Sequence, residues 1–97
     1  MPYRSPVQRR VAALEGVPFH SADLQLPEEP GIYIVCTKAY IPLYVGRSRN
    51  MRMRWYNGHH QALACMRAGA YMVKYIITTD LDQEQDYIDE LQPYLNS

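Results

Sequence analysis

The run Ile32–Cys36 is, equally with Ala62–Met66, the longest unbroken apolar stretch in the chain. Preceded by Gly31 and rich in β-branched residues, it predicts a buried strand over 31–36. A strand of that kind needs covering layers around it, so the chain must form a layered domain. The same run is far shorter than the roughly 20 residues of a spanning helix, which excludes a membrane segment. With 97 residues there is room for one core, and a single domain over 1–97 is expected. Arg9 and Arg10 are followed by only four apolar residues before Glu15, too few for a secretory leader. Cys36 and Cys65 provide neither a disulfide framework nor metal-ligand spacing, and a reduced, cytoplasmic setting is expected.

The pattern around the run predicts the remaining elements. Ser5 as N-cap, Pro6 at the first helical position, Gln8 closing a capping box and Gly16 as terminator predict a helix over 5–16, with Val7, Val11 and Leu14 on its buried side. Pro18, Pro27 and Pro30 make 17–30 an extended connector. A second strand over 43–46 pairs with the first as an antiparallel hairpin, and a register opposing Tyr33 to Tyr44 puts both rings on one sheet face. Asn50 caps a helix whose buried stripe is Met51, Trp55, Ala62, Cys65 and Met66, with Gly58 a break near its middle and Gly69 its end. A third strand spans 71–79. Asp80 and Gln83 form a capping box for a last helix running to about Leu91 and stopped by Pro93. The fold class is α+β: a three-stranded antiparallel sheet flanked by helices, with a short N-terminal helix and extended connector.

Net charge is zero, but the charges are segregated. From Pro30 to Asp80 the interior of the segment has no acid, while Lys38, Arg47, Arg49, Arg52, Arg54, Arg67 and Lys74 lie within it. The stretch 80–90 then carries six acids and no base. Two readings fit: a basic surface for a polyanion with the acidic helix facing away, or two solvated faces that balance for solubility.

Leu81, Ile88 and Leu91 define the core-facing stripe of the last helix, and Glu84 sits inside it. Burying a lone carboxylate costs several kcal/mol, on the order given by desolvation, unless it is paired. Glu84 is therefore either in a salt bridge, with Arg54 the natural partner, or a ligand for a hard cation such as Mg²⁺. Arg54 lies at the edge of the Met51–Trp55 stripe, either as a fork for phosphate or with its stem packed on Trp55. Arg47, Arg49 and Arg52 are expected to be more exposed. Nine tyrosines stand against one Phe. Tyr33 and Tyr44 differ from the rest in sharing the two central strands, where a phenol beside a metal could relay or accept a proton once nearby cations assist it. His59 and His60 follow Gly58; as helix neighbours they point to different faces, which argues against a shared metal, and each is either a phosphate contact or a surface residue. His20 reads as structural.

Gly31-Ile32-Tyr33, Tyr44-Val45-Gly46, Arg54, Glu84 and Asn96 together resemble the signature of the GIY-YIG nuclease domain. The stretch from Tyr44 to Arg54 is similar to the family's second motif with the helix that carries its arginine, and Glu84, Ile88, Pro93 and Asn96 are similar to its metal-binding helix and closing Asn. The likeness covers about residues 27–97, with Val45 in place of the family's second Ile. It divides the chain into an N-terminal helix and connector, 1–30, and a catalytic core, 31–97. It implies hydrolysis of DNA phosphodiesters by a metal-activated water, with Mg²⁺ or Mn²⁺ as cofactor. Glu84 would then hold the metal, Arg54 the scissile phosphate, Tyr33 and Tyr44 the attacking water, and Asn96 would support the site. Arg47, Arg49, Arg52, His59 and His60 complete the substrate-binding set. Some branches place a His one turn after the arginine, and that position here is Gly58.

Family members commonly carry a separate DNA-targeting domain, so either another subunit supplies affinity or specificity is weak. The expected partner is DNA, structured or branched forms included, and no membrane. A non-catalytic or weakly active docking module of the same fold is the alternative reading, and a Tyr-rich oligomer contact is a third.

Overall fold

The computed structural model describes residues 4–96, so the outer domain bounds expected at 1 and 97 lie outside it. Its elements are α1 (Pro6–Ala12), β1 (Glu15–Pro18), a 3₁₀ turn (Phe19–Ser21), α2 (Ala22–Gln25), β2 (Gly31–Thr37), β3 (Pro42–Ser48), α3 (Met51–Tyr56), α4 (Ala62–Arg67), β4 (Ala70–Ile77), α5 (Gln83–Leu91) and a closing 3₁₀ turn (Tyr94–Asn96).

The sheet has the order β1-β4-β2-β3, and every pairing is antiparallel. β2 therefore has neighbours on both sides and is covered on both faces, which explains its continuous apolar sequence. Alternation divides it between two layers. Ile32, Ile34 and Cys36 pack with Val11, Val45 and Leu91 on the side of α1 and α5. Tyr33 and Val35 pack with Leu26, Met51, Trp55, Cys65 and Val73 on the side of α2, α3 and α4.

The α+β architecture agrees with expectation, but the sheet has four strands rather than three. The extra strand comes from the stretch expected to be helix terminator and connector. α1 is capped by Ser5 and Gln8 as its sequence requires, yet it ends at Ala12, and Gly16 lies in β1 opposite Lys74. A Cβ on Gly16 would approach Lys74 Cδ to 2.6 Å, so this glycine serves close packing and not helix termination. The supposed connector holds β1, a 3₁₀ turn and α2, whose Ala22 and Leu26 are buried.

Three further local expectations are revised. Asp80 and Gln83 make no capping box, because the cap position is Asp82 and no side chain caps it. Met66 is 50% exposed and stands outside the buried stripe. Lys74, counted with the surface cations, is buried, and its Nζ donates to Leu14 O at 2.9 Å and to Ala12 O at 3.4 Å. It closes the C-terminal end of α1 onto the sheet.

Candidate active site

β2 and β3 set the tyrosines. Tyr33 pairs with Gly46, and Tyr44 with Val35, so the expected Tyr33–Tyr44 register is offset by two residues. Two is the side-chain period, so both rings still stand on one face, 6.4 Å between centroids. The offset has a steric reason. A Cβ on Gly46 would lie 2.5 Å from both Cζ and Oη of Tyr33, so the missing side chain is the space the phenol occupies. Gly31 is equally constrained: a Cβ there would meet Ile76 O at 2.3 Å and Met51 Cε at 2.8 Å.

The helix expected after Asn50 is two helices. Asn50 caps α3 by accepting from the Met53 amide, and the chain then breaks at Gly58, whose φ is +86°. That positive φ turns the backbone so that His59 enters the tyrosine layer. His59 is 6% exposed and stacks on Trp55 at 4.4 Å between centroids. Its Nε2 lies 2.6 Å from Tyr33 Oη. The two histidines do not diverge as helix neighbours would, because they lie in the loop and stack on each other at 4.9 Å.

The Gln61 amide donates to His59 Nδ1 at 3.0 Å, so in the neutral ring the proton sits on Nε2. Burial, with the Arg54 and His60 charges, pushes the His59 pKa down to about 4, so the ring is neutral near pH 7. Nε2–H therefore donates to Tyr33 Oη, and the phenol keeps its own hydrogen for another acceptor. Burial holds Tyr33 well above the usual phenol range, and the neighbouring Tyr44 and Glu84 charges add to this while Arg54 opposes it. Tyr44 is raised by burial and Glu84, again against Arg54. Both phenols thus lie within the electrostatic reach of Glu84 and Arg54.

Arg54 is half-buried and donates through Nη2 to His60 Nδ1 at 2.7 Å. Glu84 does not pair with it. Glu84 Oε1 instead lies 3.7 Å from Arg47 Nε, and Arg47 Nη1 lies 3.6 Å from Asp82 Oδ1. Arg49 is exposed and lines, with Arg47, Pro30 and residues 79–82, a groove of about 640 Å³. Arg52 is bound elsewhere: its Nε donates to Leu26 O at 2.7 Å and it pairs with Glu28 at 3.8 Å, so it ties α3 to the segment after α2. Asn96 bridges the outer edge of β3, with Oδ1 accepting from Val45 N at 2.8 Å and Nδ2 donating to Val45 O at 2.9 Å.

Among the described residues no cluster of three or more His, Cys, Asp or Glu could cage a metal ion. The donor set suits a hard cation of another type. Mg²⁺ commonly takes one or two carboxylates and fills its shell with water and substrate phosphate. Glu84, its side chain 26% exposed beside Arg47, supplies one such carboxylate.

The sheet, the two tyrosine-bearing strands and the converging arginine and carboxylate define a GIY-YIG-type domain, and the chain has that fold. No protein-family model matches it. It is 32% identical over 84 residues to UvrABC system protein C of Prochlorococcus marinus (strain MIT 9211), an alignment covering 75% of this chain and 13% of that protein. The chain thus spans a small part of that relative's length. Among solved structures it is similar to the GIY-YIG N-terminal endonuclease domain of UvrC from Thermotoga maritima bound to its catalytic divalent cation, magnesium (23% identity, TM-score 0.65, 81% of this chain and 96% of that one). A tyrosine-to-phenylalanine point mutant of the same domain gives 22% identity and a TM-score of 0.66 over 81% and 94% of the two chains.

Proposed function

We propose that this domain is a divalent-cation-dependent endonuclease that hydrolyses DNA phosphodiesters. The observation that carries the reading is the buried Tyr33–His59 pair, 2.6 Å apart, in a layer whose phenols respond to both Glu84 and Arg54. A hydrogen-bonded phenol within electrostatic reach of a carboxylate and a guanidinium supplies the groups phosphodiester hydrolysis needs: one to orient water, one to hold a cation and one to meet phosphate charge.

Glu84 is the residue that would hold Mg²⁺ or Mn²⁺, and a bound cation supplies neutralisation of phosphate charge and a lowered pKa for water. Tyr33, fixed by the His59 N–H on its oxygen, keeps its own hydrogen to orient the attacking water. In the resting protein its raised pKa makes it a donor and not a base; neutralising Glu84 removes one of the charges that raise it. Tyr44 flanks the same position. Arg54, braced by His60, presents its planar fork to the scissile phosphate and stabilises the charge that develops there. His59 acts through Tyr33 and is a positioning residue. Arg47 and Arg49 offer charge to the flanking phosphates along the groove, whereas Arg52 is committed to the fold and contributes no phosphate contact.

The test is cleavage of labelled single-stranded, duplex, flap, fork and junction DNAs with Mg²⁺ or Mn²⁺, with EDTA and Glu84→Ala as controls. Cutting that requires both the cation and Glu84 is expected, with a loss of about 10²-fold or more in the variant. Metal-dependent cutting that survives Glu84→Ala overturns the site assignment. Salt-sensitive binding without cutting, unaffected by Mg²⁺, replaces the enzyme with a docking module.

A further inference from the structure

Arg47 stands between two places that need positive charge. On one side is Glu84, 3.7 Å from its Nε. On the other is the open groove it lines with Arg49, Asp80 and Asp82, where Asp82 Oδ1 lies 3.6 Å from its Nη1. Both carboxylate contacts exceed hydrogen-bond length, and the Arg47 side chain is 51% exposed. The guanidinium is thus held by charge and not locked by geometry, and its long stem can swing between the two sides. Arg52 and Arg54 have no such freedom, since the Leu26 carbonyl accepts from Arg52 and the His60 ring nitrogen from Arg54, each at 2.7 Å.

Resting on the reading of Glu84 as the cation's carboxylate and the groove as the nucleic-acid side, we infer that Arg47 is a shared cation that couples the two binding events. Before DNA arrives it neutralises Glu84. A phosphate in the groove draws it away and leaves Glu84 available to the divalent ion. Conversely, an ion on Glu84 displaces Arg47 toward phosphate. By linkage the two effects are equal, so metal and DNA each raise affinity for the other through this one side chain. Arg49, in the same groove without a carboxylate partner among the described ion pairs, contributes charge but no coupling.

The test is a double-mutant cycle read as DNA affinity in EDTA, where neither metal nor cleavage intervenes, by fluorescence anisotropy of a short duplex. Glu84→Ala is expected to tighten binding about threefold in the wild-type background, the size of a partly exposed ion pair, and to have little effect when combined with Arg47→Ala. An equal gain in both backgrounds means that Glu84 only repels DNA, and overturns the inference. A second arm measures Mn²⁺ binding without DNA. Arg47→Ala is expected to bind about threefold more tightly than wild type and Arg49→Ala to be unchanged. A gain of equal size in both variants, or none in Arg47→Ala, also overturns it. Absence of DNA binding by the wild-type protein would instead remove the nuclease reading on which the coupling rests, as would Mn²⁺ binding undiminished by Glu84→Ala. Arg47 and Arg49 are surface side chains, so these variants keep the fold, and circular dichroism of each verifies it.

Discussion

Burial fixes the protonation of His59, and with it the direction of the hydrogen bond that holds Tyr33. The folded pKa lies near 4 against an ordinary value of 6.5, so the unfolded chain takes up the proton first as pH falls. Stability from this residue is fully present above about 6.5 and is lost as pH falls toward 4, by up to about 3 kcal/mol. Urea midpoints measured from pH 7 to 4.5 should decline, and a His59→Asn protein should decline less steeply over the same window. A slope unchanged in the variant would assign the loss to carboxylates. At Gly46 the expectation is steric. Gly46→Ala forces its new methyl against the Tyr33 ring, and a cost of about 1–3 kcal/mol with loss of DNA cleavage should follow, read by denaturation and turnover. Ala at exposed Gly69, where φ is +93° and no atom lies within 4 Å, meets backbone strain of about 1 kcal/mol and no steric contact, and should leave cleavage intact.

At the scale of elements, the break between α3 and α4 delivers the site's histidines. Gly58 has a φ of +86° and no neighbour within 4 Å of where a Cβ would be, so Gly58→Ala meets backbone strain alone. A destabilisation of about 1 kcal/mol is expected, with His59 less well seated and turnover falling more than substrate affinity, which a kcat-against-KM comparison separates. This break also marks the limit of what the sequence discloses. The buried strand over 31–36, the Asn50 cap, and the placing of Glu84 beside Leu81 and Ile88 all follow from local pattern, and they are legible. The partner of Glu84 is not, because choosing Arg47 over Arg54 depends on how α5 lies across β3. His59 was visible as a residue beside a glycine, but its hydrogen bond spans 26 positions and requires the turn's three-dimensional course. β1 was hidden by its shortness and by Pro18, which suit an edge strand as well as a connector.

For the molecule as a whole, charge is organised by layer more than by composition. Apart from Glu84, whose charge reaches both phenols, the acids of α5 belong to the helix packed on the other face of the sheet, and Arg10 on α1 meets Glu90 there at 2.6 Å. Lys74 crosses between regions: it stands in a central strand yet fastens the α1–β1 turn. Lys74→Met keeps most of its volume and removes both contacts to Ala12 and Leu14, and should cost about 1–2 kcal/mol. That is a fall of roughly 4–16 °C in Tm for a domain of this size, with the chemistry at Tyr33 unaffected. Asn96 has a consequence in time. The strand that carries Tyr44 is sealed along its outer edge by a side chain 51 residues later in the sequence. As the polypeptide emerges during synthesis, β2 and β3 can pair early, but the free margin of β3 stays open to other chains until residue 96 arrives. A nascent domain of this design is therefore most prone to mispairing just before its last turn is made.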